Sequence, residues 1–141
     1  MQRLSLVAWR KSTSVFFNED LGHLVSHHAD TIRELNDPWS AENMLRQEIA
    51  LQDQPGVSSS RSHLQVSLAE ALFTQERFEE AELLCLYVES RPNLLKLDKL
   101  RLHIATGNIH HIHAEYEKAL PHWSGAMAEM SKFQLTGGHT V

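Results

Sequence analysis

The chain has a single cysteine, Cys85, so no internal disulfide can form, and one thiol fits a reducing compartment. No run of about 18 apolar residues occurs, which excludes an ordinary membrane-spanning helix. The opening stretch MQRLSLVAWRKSTSV carries charges where a signal peptide needs an unbroken apolar core, so a cytoplasmic location is expected. Basic residues are in deficit. Thirteen Lys and Arg against 18 Asp and Glu give a net charge of -5, which speaks against the basic stripe of a nucleic-acid-binding domain. No glycine-rich phosphate loop and no G-x-S-x-G turn is present, and TGGHTV, at the end, precedes no helix. Neither HExxH nor a cysteine pair offers a metal framework, so no cofactor and no metal are expected. Strict apolar/polar alternation, the mark of a half-buried strand, is also missing. These absences remove most catalytic classes, and the chain is read as not an enzyme.

What remains is helical. Between the breaks at Asp37-Pro38, QPGVSSS (54–60) and Arg91-Pro92-Asn93, the sequence is rich in Leu, Ala, Glu, Gln and Lys, all good helix formers. Leu64, Leu68 and Leu72 recur every fourth residue on one helical face. Phe78, Ala81, Cys85 and Val88 form a second stripe, and Tyr116, Ala119, Trp123, Ala126 and Met130 a third. Helices are predicted at about 2–16, 20–36, 38–52, 60–75, 78–91, 94–112 and 116–132. An apolar share of 42% is globular in character, and 141 residues make one domain's worth of chain.

Two of these stripes begin alike. QERFEEAE (75–82) and HAEYEKAL (113–120) each place an aromatic residue three before an alanine: Phe78 to Ala81, and Tyr116 to Ala119. Acidic residues follow Phe78 in the first turn, where the helix dipole favours negative charge. Counting back from Phe78 gives Leu68, Ala69 and Leu72; counting back from Tyr116 gives Thr106, Gly107 and His110. This pattern resembles the tetratricopeptide repeat (TPR), a helix–turn–helix unit of about 34 residues. Trp39 serves as the aromatic of a fainter earlier copy, with Ala41 one place short. The resulting periods, 78 − 39 = 39 and 116 − 78 = 38, look like the longer variant of kinesin light chains.

The resemblance implies an all-α, right-handed α-solenoid of about three stacked antiparallel hairpins. Its divisions are an N-terminal helix, degraded repeat or cap (1–17), repeats at 20–53, 60–93 and 96–132, and a flexible tail (133–141). Leu68, Ala69, Leu72, Phe78, Ala81, Gly107, Tyr116, Ala119 and Trp123 are the repeat-defining packing residues.

It further implies a protein–protein interaction scaffold that holds a partner's peptide or helix in a concave groove lined by first helices. The groove positions in the middle repeat are His63, Val66, Ser67, Glu70, Phe73 and Thr74. In the last repeat they are Arg101, Ile104, Asn108, His111 and Ile112; His27, His28, Thr31 and Ala105 belong to the same count. The competing reading of Val66, Phe73, Ile104 and Ile112 is packing against the next helix. Lysine and asparagine pairs of a carboxylate clamp are missing, with Arg101 and Asn108 a partial echo. A second function class is a structural segment that self-associates as a homodimer. A third is a histidine-based metal site in IHHIHAE (109–115), where His110 and His113 share a face and Glu115 lies four beyond His111; satisfied core or surface histidines are the preferred reading there. No nucleic acid and no membrane is expected as a partner.

Overall fold

The computed structural model describes residues 15–52, 59–92 and 94–132. All described secondary structure is helical: α1 (Val15–Glu34), α2 (Pro38–Leu51), α3 (Ser59–Thr74), α4 (Phe78–Glu89), α5 (Lys96–Ile112) and α6 (Tyr116–Lys132). The expected all-α class holds. One boundary does not: a break between helices near residues 17–19 is absent, because α1 already starts at Val15 and runs through it. The rest of the 2–16 helix, most of QPGVSSS and the 133–141 tail lie outside the described residues.

The helices pair as hairpins α1–α2, α3–α4 and α5–α6, and all three turns have the same hydrogen bonding. The amides of Asp37, Arg77 and Glu115 donate back to the carbonyls of Ile32, Leu72 and His110 at 3.1, 3.0 and 2.8 Å. Inside these, the amides of Asn36, Glu76 and Ala114 donate to Arg33, Phe73 and His111 at 3.0, 2.9 and 3.0 Å. This nested pair is the Schellman closure, which satisfies orphan carbonyls at a helix C-terminus and needs one left-handed residue. Asn36, Glu76 and Ala114 supply it, at φ 74°, 64° and 59°. None is glycine. Asn tolerates this region, whereas Glu and Ala bring a Cβ that crowds it.

The turns fix the register of the repeat. Their left-handed residues are 76 − 36 = 40 and 114 − 76 = 38 apart. Hence Pro38, Phe78 and Tyr116 open the second helices, and Pro38, not Trp39, occupies the aromatic's place in the first copy. Trp39 is 64% exposed. Ala41 then falls in line with Ala81 and Ala119, all three fully buried, so the first copy is not one place short. Asp37 caps α2, accepting from the Ser40 amide at 3.1 Å, and Pro38 at the first helical position needs no donor.

Within each hairpin a small first-helix residue, Ala29, Ala69 or Gly107, recurs at equivalent places and is buried. At Gly107 the reason is visible: an added Cβ would lie 2.5 Å from the indole of Trp123. Between hairpins, α3 packs on both α1 and α2, and α5 packs on both α3 and α4. The first helices α1, α3 and α5 therefore sit side by side, while α2, α4 and α6 make no comparable contact with one another. A contiguous core runs from Val25 through Leu45, Leu64, Leu72 and Val88 to Ile109.

Not every repeat position is buried. Leu68, Ala69 and Leu72 are, but Tyr116 is 60% exposed and does not fill an inter-helix corner. Phe78 lies between Phe73 of its own hairpin (5.2 Å between ring centroids) and His113 in the turn of the next (6.2 Å). Tyr116 has its ring contact with His111 of its own hairpin, at 5.3 Å, and no described element follows α6 to cover it.

Two substitutions test this account. Glu76→Gly and Ala114→Gly should each raise stability in urea unfolding by about 0.5–1 kcal/mol, since glycine adopts the left-handed turn freely. Gly107→Ala should lower it by about 1–3 kcal/mol, an overpacking penalty relieved when Trp123 is shortened to Leu in the same chain.

Candidate partner-binding surface

Three polar clusters join successive hairpins, and two of them link the first helices and take up much of the expected groove. The largest centres on Arg101 of α5. Its guanidinium donates to Glu70 of α3 through a very short contact and a second one at 3.3 Å, and to Ser67 at 3.0 Å. It also reaches Asp30 on α1 at 3.3 and 3.4 Å. Arg33 approaches the same Glu70 at 3.7 Å, and Ser26 and Ser67 share a buried 2.6 Å hydroxyl bond. Burial opposes the charge on Arg101, but Glu70, with Asp30 and Asp98, more than offsets it, and the guanidinium pKa is raised.

The second cluster is His63 with Asp98. His63 Nδ1 lies 2.7 Å from Asp98 Oδ1, and both side chains are buried. His63 Nε2 and Asp98 Oδ2 find no protein partner, while His23 and His27 rings flank His63 at 4.7 and 5.9 Å. The third joins the first two hairpins on the other side. Glu42 of α2 accepts from Gln75 at 2.9 Å and from Arg77 at 2.7 Å, both in the α3–α4 turn. Burial pushes the Glu42 carboxyl up, but the bonds from Gln75 and Arg46 and the charge of Arg77 outweigh it and hold it low.

The expected groove residues therefore divide. His63, Val66 and Ser67 are buried and offer no surface to a partner, because the neighbouring first helix covers them. The same holds for Ala105. Glu70 and Arg101 are committed to each other. Phe73 is half-buried against Phe78. Thr74 is exposed, its hydroxyl returning to the Glu70 carbonyl at 2.9 Å. Ile104, Asn108, His111 and Ile112 remain accessible along α5, with Asn108 accepting from Trp123 Nε1 at 3.2 Å. His27, His28 and Thr31 are exposed on α1.

The histidines of 109–115 point to different neighbours. His110 contacts Glu115 at 3.2 Å and stacks on His122 at 5.6 Å, His111 lies on Tyr116 and Trp123, and His113 covers Phe78. Among the described residues, no three His, Cys, Asp or Glu side chains are arranged to hold a metal ion. A pocket of about 170 Å³ lies between α4, α5 and α6, with Glu89, Lys99, Thr106, His103 and His122 on its walls. His103 Nδ1 and His122 Nδ1 are 3.4 Å apart. Burial, then the neighbouring His103 and His110, lower the His122 pKa. Burial also pushes the Cys85 thiol up to about 12, which keeps it protonated and unreactive near neutrality.

Asp30, Asp98 and His122 were not among the expected site residues. Asp98 had a signal: it shares a helical face with Leu102, Ala105 and Ile109, a carboxylate on a buried stripe. Asp30 had none, since its partner is 71 residues away. Compared with protein-family models, curated proteins and solved structures, the chain matches none. No helix among the described residues is long and apolar enough to cross a membrane.

Removing Arg101 leaves Asp30 and Glu70 facing each other, so Arg101→Leu should lose about 2–4 kcal/mol in urea unfolding, most of it recovered when Glu70→Leu is added. The depressed His122 pKa gives a definite sign. The unfolded chain takes up a proton near its ordinary pKa before the folded one does, so the His122 contribution is intact above about pH 6.5 and lost on acidification through the folded pKa. Between about pH 7.5 and about pH 5.5 the wild type should lose more stability than His122→Gln; equal losses would contradict this.

Proposed function

We propose that the protein is a non-catalytic protein–protein interaction module, a TPR-like right-handed solenoid of three hairpins working in the reducing cytoplasm. The support for the solenoid is the recurrence of one turn geometry and one set of buried columns in three successive hairpins, each packed on the next. The observation that carries the function is the gathering of accessible apolar side chains on the third hairpin. Ile104 and Ile112 on α5 adjoin the side on which His111 meets Tyr116 and Trp123 of α6. Exposed apolar side chains gathered on one hairpin are a mark of an interaction surface. The groove reading is thereby narrowed to the α5 edge, Ile104, Asn108, His111 and Ile112, with Thr74 on α3.

The test is affinity capture with the full chain and with an Ile104→Asp/Ile112→Asp chain of unchanged circular dichroism. Loss of the captured proteins by more than about tenfold is expected, because charges placed in an apolar contact are left without partners. Equal capture by both chains would overturn the assignment of this edge. As a control, Leu83→Asp on the exposed side of α4 should leave capture unchanged.

A further inference from the structure

We propose that α6 is released by protons: on acidification it leaves α5 as a unit, opening the third hairpin while the first two stay closed. Three imidazoles meet where α6 docks. His103 and His110 stand on α5, and His122 of α6 reaches both, its ring centroid 5.7 Å from the first and 5.6 Å from the second. His103 Nδ1 and His122 Nδ1 face each other at 3.4 Å, and the His110 ring lies within 23° of parallel to His122. Two facing imidazole nitrogens can share a proton only while one ring is neutral, since a protonated ring has two donors and no acceptor. With both rings protonated that contact is lost and two like charges take its place. A charge on His110 adds a third, against the face of His122. Opening separates the rings and returns them to water.

The other charges around these rings do not cancel the effect. Glu89 of α4, on the pocket wall, favours a charged His122, but burial, His103 and His110 outweigh it. Lys99 of α5, on the same wall, has the wrong sign to help. Glu115 lies 3.2 Å from His110 Nδ1 but is shared with Lys118 at 2.9 Å and approached by His113 at 3.9 Å. His111 is engaged elsewhere, on Tyr116 and Trp123.

Little else holds α6. Among the described helices it packs on α5 and makes no comparable contact with another, whereas α2 and α4 each pack on two. Of its own residues only Ala119 and Ala126 are buried, so its apolar hold is two methyl groups and the Trp123 indole against Gly107. Pro121, next to His122, removes one hydrogen bond from inside the helix. Elements with so few buried apolar contacts are the ones that open locally. The open hairpin takes up protons in the ordinary histidine range and the closed one resists them. The closed state is therefore intact above about pH 6.5 and gives way as pH falls through the lowered pKa of His122. Because Tyr116 and Trp123 belong to α6, release also takes away its share of the edge assigned to a partner; that consequence rests on the interaction reading above, and the release does not.

The test is amide hydrogen exchange on the full chain at about pH 7.5 and about pH 5.5, read as protection factors so that the intrinsic pH dependence of exchange drops out. Protection across α6 should fall more than about threefold on acidification while α3 keeps its own within about twofold, and the α6 loss should vanish in His103→Gln/His122→Gln. No loss in α6, or an equal loss in α3, would overturn the proposal from the wild type alone. A loss of the same size in the double variant would also overturn it. No partner is present in this measurement, so its failure and a failure of the interaction reading are seen separately.

Discussion

A hairpin of two amphipathic helices has more apolar surface than its own interface can hide, and the whole arrangement follows from that constraint. A first helix that follows another hairpin must satisfy its own second helix and both helices of the hairpin before it, and α3, in the middle, packs on α5 as well. This explains why α3 is buried along almost all of its described length, from Ser62 to Ala69 without interruption. It also explains why a short peptide motif recurs in so small a chain. The small residues Ala29, Ala69 and Gly107 and the fully buried Ala41, Ala81 and Ala119 let two helices approach, and the larger residues one turn away lock them.

Polar chemistry is laid over this apolar scheme at the places where hairpins meet. Glu42 with Gln75 and Arg77, and His63 with Asp98, each cross from one hairpin to the next. Charged and polar pairs shielded to this degree add little net stability compared with well-packed apolar residues, and leaving one partner unmatched penalises wrong pairings. Their effect is on register. An apolar stripe could slide by a helical turn with modest loss; a carboxylate that must meet one guanidinium cannot.

Much of the fold was legible because periodicity reports burial directly. The stripes Leu64–Leu68–Leu72 and Phe78–Ala81–Cys85–Val88 named the right faces, and Tyr116 was correctly placed as the start of a helix. The first copy was misread by one residue because Trp39 is conspicuous and Pro38 is not, whereas the turn geometry at Asn36, which decides the matter, leaves only a faint trace in sequence. The candidate surface was less legible. Residues on a first helix alternate between facing a neighbour and facing outward within one turn, so Val66 and Ile104 look alike in sequence and differ in exposure only because one has a following hairpin over it. Long-range pairs such as Arg101 with Asp30 carry no local signal at all.

Arg101 touches both Asp30 and Glu70, so a single side chain joins the first hairpin to the third across the second. In a purely nearest-neighbour stack, units can be duplicated or deleted in evolution without consequence for the rest. Here the array keeps count of itself: a hairpin inserted between α2 and α5 would carry the guanidinium away from one of its carboxylates, and loss of the middle hairpin would leave it without the other. The number and pitch of these three hairpins are thus written into one ion-pair triangle, and the freedom to lengthen is confined to the ends.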